Sequence, residues 1–266
     1  MCMTNPLSYN FFVPVELCKL ALSTNLIFPL RLYCYLKGSC AGKRTINRSD
    51  IATIAAELNC HPRTVTAHLT KLQHLNWIGY IPKSKYYLIR GFDKIGSWSS
   101  RSGVEFQKSY LDNFKAYTAS AYIGYVANLY RRKKGSVERN KGRSNQALPH
   151  SGHPVATRLI SKLLKISLGK ASLLKKEAKS AGFIVVTRSF RDTGVPCYEK
   201  KFYKKTFPEL AGRVRQMKSR LVIVDTDLIL STLRYKRRRK RERIRKGIRG
   251  NCVTVPRIEG RPIKGR

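Results

Sequence analysis

Asp225-Thr226-Asp227 sets two carboxylates two residues apart, a spacing that can hold a magnesium ion as paired acids do in nucleases. The same residues can cap a following helix, because Asp and Thr accept hydrogen bonds from its first free N–H groups. Capping is the reading adopted. His150-x-x-His153 is not an adjacent-histidine pair, and it lies in a stretch with Pro and Gly. Cys34, Cys40, Cys60 and His61 lack zinc-finger spacing. There is no Gly-x-x-x-x-Gly-Lys-Ser/Thr loop to cradle a nucleotide phosphate. The expectation is a protein that is not an enzyme, with no catalytic centre, metal or cofactor and no small-molecule ligand.

The remaining chemistry is recognition of a polyanion. Lys and Arg number 54 against 15 Asp and Glu, a formal charge of +39. A chain this basic repels itself unless a polyanion screens it, and nucleic acid is the usual one. Apolar residues make up 42% of the chain, enough for ordinary cores, so wholesale disorder is excluded as an expectation. The side chains best placed for such contact are Arg63, Thr64, Thr66, Ala67 and Thr70. Their spacing leaves them outward on a helix whose inward positions are Val65, Leu69 and Leu72.

Several elements must position those residues. Asn47 can cap a helix, with Asp50 three residues on as a variant of the capping box. Ile51, Ile54, Ala55 and Leu58 then recur at helical spacing. Asn59-Cys60-His61-Pro62 breaks that helix, and Pro62 suits the first turn of the next, where its missing N–H has no partner. A hairpin follows, with Trp77 to Ile81, a turn at Pro82-Lys83-Ser84-Lys85, and Tyr86 to Ile89. Upstream, Phe28 to Leu36 reads as a helix ended by Gly38, and Arg44-Thr45-Ile46 as a short strand pairing with the hairpin. Leu17, Leu20 and Ala21 mark an earlier short helix.

Thr64-Val65-Thr66-Ala67-His68-Leu69, with Leu72 and Asn76-Trp77-Ile78 before a basic hairpin, resembles the winged helix-turn-helix DNA-binding superfamily. Ala67 stands where many members place an Arg, and Asn76 where Gly is usual. The resemblance implies that the helix after Pro62 enters the major groove of duplex DNA by its N-terminal residues. Arg63 could pair bidentately with a guanine, and the threonine methyls could touch thymine methyls. Ser49, Lys71 and His68 are placed for phosphate contact, and Lys83 and Lys85, backed by Tyr86 and Tyr87, for the backbone or minor groove.

The opening pattern recurs. Sliding the chain by 106 residues brings Ile54 onto Ile160, Leu58 onto Leu164, Val65 onto Ala171 and Leu72 onto Ala178. Leu75 meets Ala181, and Trp77-Ile78 meets Phe183-Ile184. A second, degenerate unit is expected, with helices over 155–165 and 170–181, a turn over 166–169 and a wing over 183–206. An unrelated helical hairpin with two strands is the alternative. In the second unit Lys170, Ser172, Lys175 and Lys176 occupy the matching helix, beside Gly169, and Arg188 and Arg191 the matching wing. These residues suit phosphate contact more than base reading.

Between the units, residues 96–105 read as a linker. Tyr110, Phe114, Tyr117, Ala121, Tyr125 and Leu129 predict a long helix ending near Gly135, followed by a mobile loop over 135–153. Leu221 to Val224 reads as a strand, then residues 227–247 as a helix carrying Arg237, Arg238, Arg239, Lys240 and Arg241. Such a block neutralises phosphates or serves as a nuclear address. A disordered basic tail closes the chain over 251–266. The domains expected are 1–95, 106–210 and the segment 211–250.

Seven dispersed cysteines with no Cys-x-x-Cys pair fit reduced thiols. The start of the chain lacks the basic lead of a secretory signal, and nowhere do 18 apolar residues run together. The expectations are therefore a mainly α chain with small β-wings (α+β), built as tandem winged helix-turn-helix domains plus a basic C-terminal helix. It would be cytoplasmic and nucleoid-associated, without membrane contact, with a homodimer as a candidate assembly. Its partner would be double-stranded DNA, in replication initiation or transcription control of a plasmid, phage or other mobile element. The two-unit layout is similar to that of plasmid and phage replication initiators. The competing class is a structural or RNA-associated basic protein without sequence preference.

Overall fold

Strand β1 (Phe11–Pro14) leads directly into α1 (Val15–Ser23), whose Val15, Leu17, Cys18, Ala21 and Leu22 are buried. Leu20, which shares the helical spacing of Leu17 and Ala21, is exposed. The computed structural model describes residues 10–39, 43–84, 86–96, 102–140 and 152–237. Helix α2 (Ile27–Ser39) is buried on nearly every side, because α1 and two later helices, Pro62–His74 and Phe114–Asn140, all pack against it, and it runs one residue past Gly38. The Tyr33 hydroxyl, at its centre, donates to the Arg90 carbonyl at 2.6 Å, which satisfies a polar group that burial would otherwise strand.

Strand β2 (Lys43–Thr45), α3 (Arg48–Glu57), α4 (Pro62–His74), β3 (Ile78–Ile81) and β4 (Tyr86–Ile89) follow as expected. At the start of α3 the Asn47 N–H donates to the Asp50 carboxylate at 2.8 Å. Ile54 and Ala55 on α3, and Leu58 at its C-cap, meet Val65, Leu69 and Leu72 on α4 in the core. Burying a Leu or Ile of this kind stabilises by about 1.5–3 kcal/mol. The three strands form an antiparallel sheet in the order β2-β4-β3.

A short helix α5 (Phe92–Ile95) comes next, then β5 (Ser102–Phe106). The expected linker over 96–105 is thus corrected in its second half: β5 is the central strand of a sheet ordered β1-β5-β12, where β12 is Tyr235–Arg237, with Gly103, Val104 and Phe106 buried. The long helix α6 (Phe114–Asn140) extends past Gly135, so the first residues assigned to a loop are helical. Tyr117 is fully buried on it, and the rings of Phe106, Tyr110, Phe114 and Phe183 surround it with centroids 5.3–6.1 Å away. That aromatic cluster draws on both halves of the chain, and one continuous core runs through them.

Then come β6 (His153–Pro154), α7 (Thr157–Leu164), α8 (Leu168–Ser180) and β7 (Ile184–Thr187). The expected wing over 183–206 is corrected next. β7 does not turn back on β8 (Phe190–Pro196). It pairs with a distant strand, β11 (Leu228–Ser231), in a sheet ordered β6-β11-β7. The intervening chain builds its own sheet: β8, a helix α9 (Lys200–Thr206), β9 (Val214–Met217) and β10 (Arg220–Val224), in the order β8-β10-β9.

Residues expected to begin the basic helix form β11 (Leu228–Ser231) and β12 (Tyr235–Arg237). Helix propensity loses to tertiary context at this point. β11 fills the place between β6 and β7, and the buried Tyr235 hydroxyl donates to the carbonyls of Ser120 and Ala121. Gly124 makes this approach possible, since a Cβ there would sit 2.5 Å from the Tyr235 oxygen. Residues 238–250 of the expected helix and the tail 251–266 lie outside the described residues, as do residues 141–151 of the expected loop. The architecture is mixed α+β with four small sheets among the described residues.

Candidate nucleic-acid interface

Helix α4 is built to show one face and hide the other. Val65 and Leu72 are fully buried and Leu69 nearly so, while Arg63, Thr66, Ala67, Thr70 and Lys71 are exposed and Thr64 is half-buried. Its first turn is held by Pro62 and by His61, whose Nδ1 accepts from the Arg63 N–H at 3.2 Å. The Thr66 and Thr70 hydroxyls donate back to the Pro62 and Thr66 carbonyls, at 3.2 Å each. With their protons engaged in the helix, these side chains offer a methyl and an acceptor oxygen outward.

Ser49 is exposed in the first turn of α3, which packs on α4, and Lys83 is exposed in the β3–β4 connection. Lys85 lies outside the described residues. Tyr86 and Tyr87 are half-buried, and burial beside Tyr80 pushes the Tyr87 phenol up. His68, considered for phosphate contact, is turned inward. Its ring stacks on Phe28 at 4.7 Å, and burial pulls its imidazole below the ordinary pKa, with Lys71 adding to the effect.

In the second unit Lys170, Ser172 and Lys176 are exposed on α8, and Arg188 is exposed beyond β7. Ser167 caps α8, accepting from the Lys170 N–H at 3.2 Å. Lys175 is a correction. It is buried, and its ammonium lies 2.6 Å from the Asp227 carboxylate just before β11. The repeat itself carried the signal for this, because Lys175 stands 106 residues after the inward Leu69. Arg191 pairs with Asp225 at 3.3 Å.

Asp225 and Asp227 therefore cap no helix. They line an open cleft with Lys175 and Arg213, each carboxylate engaged by a cation. No group of three or more His, Cys, Asp or Glu comes together among the described residues. Arg237 belongs to β12 by its backbone, while Arg238, Arg239, Lys240 and Arg241 lie outside the described residues.

Two features escaped the sequence reading. Leu168 and Leu173 are about half exposed on α8, at the positions that Pro62 and Ala67 hold on α4. The segment between β7 and β11 carries Tyr198 and Phe202, exposed by 80% and 68%. An apolar count over either segment looks like ordinary core, so only the fold reveals their exposure. No helix among the described residues is long and apolar enough to cross a membrane. No family model matches this chain, and neither a curated protein nor a solved structure matches it.

Proposed function

We propose that the chain is a double-stranded DNA-binding protein built from two winged helix-turn-helix units, with α4 as the reading helix. One observation carries this reading. The helix behind a tight turn buries Val65, Leu69 and Leu72 and leaves Arg63, Thr66, Ala67 and Thr70 free at its N-terminal end, next to a three-stranded sheet with a lysine-bearing turn. Arg63 would read a guanine edge, and Thr66 and Thr70 would meet thymine methyls. Ser49, Lys71 and Lys83 would hold the phosphates on either side. Lys170, Ser172, Lys176 and Arg188 would anchor a neighbouring stretch of backbone, and Arg237 to Arg241 would add charge. Replication initiation or transcription control of a mobile element, in the cytoplasm and on the nucleoid, is the role this arrangement suits.

Random duplexes retained by the full-length protein test the reading. A sequence motif should emerge, and log affinity should fall linearly with log salt. Arg63→Ala should relax one position of that motif at a cost of roughly 1–3 kcal/mol. Lys170→Ala should weaken all duplexes alike and lower the salt slope by about 1. An unchanged motif and affinity in Arg63→Ala would remove α4 from the groove. Equal retention of RNA and DNA without any motif would favour the RNA-associated or structural class.

A further inference from the structure

The segment 188–227 leaves the sheet at Thr187 and returns at Leu228, which are paired neighbours on β7 and β11. In the first unit the same two strands are joined by residues 82–85 alone. The second unit thus carries a small subdomain at the position of a wing tip. Its core is β10, whose Leu221, Val222 and Ile223 are buried between β8 and β9. Thr193 donates to the Leu221 carbonyl at 2.7 Å, and the Cys197 N–H to the Ser219 carbonyl at 3.0 Å, so the chain entering α9 is tied to the sheet. Asp192 accepts from the Gly194 N–H at 2.9 Å and from Arg220 at 3.1 Å, and these donors hold its carboxyl below the usual range.

This scaffold presents an unusual helix. Tyr198, in the turn before α9, is followed by Lys201, Phe202 and Lys205 at helical spacing, and all four side chains are exposed. No residue of α9 is buried. Phe207, also exposed, packs against Tyr203 with the rings tilted by 42° and centroids 4.9 Å apart. Four lysines and no acid occupy 200–205. Two large rings this exposed, on a lysine-rich segment tied to a sheet, have no packing role among the described residues.

We infer that Tyr198 and Phe202 form a stacking platform for unpaired bases, with Lys201 and Lys205 holding the phosphates of a single nucleic-acid strand. Every base offers a π-face to a ring, and a lysine row tracks the backbone, which is the combination single strands require. A protein partner fits less well, since lysine is depleted in protein interface cores. A lipid surface fits less well too, because binding in its plane needs a broad apolar face, and this segment sets its two most exposed rings, Tyr198 before α9 and Phe202 on it, among lysines. The site goes beyond the duplex reading and does not depend on it. A chain with both would bind one strand of DNA beside the duplex that α4 reads.

The experiment uses the full chain, a labelled thymine oligonucleotide of about 20 nucleotides and a duplex of equal length, with fluorescence anisotropy at several salt concentrations. Tyr198→Ala/Phe202→Ala should weaken single-strand binding about ten- to hundredfold with the salt slope unchanged, and leave duplex binding within about twofold. Tyr198→Phe/Phe202→Tyr should restore the single-strand affinity. Lys201→Gln/Lys205→Gln should lower both affinity and slope on the single strand. Unchanged single-strand binding in the alanine pair overturns the inference, as does an equal loss on duplex. Binding to phosphatidylserine vesicles that the alanine pair abolishes, with single-strand binding intact, would reassign the rings to a membrane surface. Because Arg63→Ala reports on the duplex alone, failure of either reading leaves the other standing.

Discussion

The two units share a skeleton and differ in what they show to solvent. Helices α4 and α8 begin and end 106 residues apart, as do β3 and β7. The sheets match as well: β2-β4-β3 in one, β6-β11-β7 in the other. Even the backbone breaks coincide, with positive φ at Asn59 and Lys165 and again at Asn76 and Gly182. The exposed faces do not coincide. α4 shows Arg63, Thr66, Ala67 and Thr70, whereas α8 shows Leu168, Gly169, Lys170, Ser172 and Leu173. Turn conformation and inward apolar positions thus define the unit. The outward residues are free to differ, and under the proposed function they would take different work, base contact in one case and phosphate contact in the other.

Lys175 is the largest departure inside the shared skeleton, since Leu69 fills the same place in the first unit. Removing one partner of its ion pair should leave Asp227 uncompensated. Lys175→Ala is expected to lose roughly 2–3 kcal/mol in urea denaturation, the lower end for such pairs because Asp227 stays partly exposed. Lys175→Leu/Asp227→Asn should recover most of that loss, by making the second core resemble the first. A Lys175→Ala protein as stable as the parent would mean that the pair does not hold β11 against α8.

The left-handed positions sharpen the comparison at smaller scale. Asn76 has φ 60° and Gly182 φ 74°, a region costly to residues with a Cβ but tolerated by Asn. Nothing lies within 4 Å of a Cβ built on Gly182, so only the backbone is at stake there. Gly182→Ala and Asn76→Ala should each destabilise by about 1 kcal/mol, while Asn76→Gly should be close to neutral. If melting separates the two alanine variants widely, the two turns are not equivalent.

The smallest effect concerns His68, whose counterpart Leu174 is fully buried. Burial lowers the folded-state pKa of His68 below that of the unfolded chain. Between those two values the unfolded state holds more protons. The stability His68 confers is therefore full above about pH 6.5 and falls as pH drops through the folded value. His68→Leu should flatten the decline in melting temperature between neutral and mildly acidic pH. An unchanged decline would place the titration elsewhere.

The first unit was legible because its signals are local. The Asn47–Asp50 cap, Pro62 in a first turn and the Val65/Leu69/Leu72 stripe each sit within a few residues of what they determine. The departure at Asn76 also has a local reason: Asn adopts there the conformation that Gly182 adopts in the second unit. Less was legible where pairing is remote. Nothing near Thr187 shows that its strand will wait for Leu228, since residues 188–227 intervene with strands of their own. Leu228 to Arg237 carries the side chains of a helix former, and only the place left between β6 and β7, and at the edge of β5, makes it strand. Of the candidate contacts, Arg63, Thr66, Ala67 and Thr70 stand together on one exposed face. Lys175 does not join them, and its inward place was written in the register.

The sheet β1-β5-β12 has a temporal consequence. Its middle strand pairs with residues 11–14 on one side and with residues 235–237 on the other, so one of its edges stays open until the latter leave the ribosome. Pairing over such separations is slow, and an unpaired edge invites association with other chains. A nascent chain halted before Tyr235 would hold the first unit assembled yet unsealed, with Ser120 and Ala121 lacking the hydroxyl that later bonds their carbonyls. Emergence of residues 235–237 would then be the step that closes this sheet.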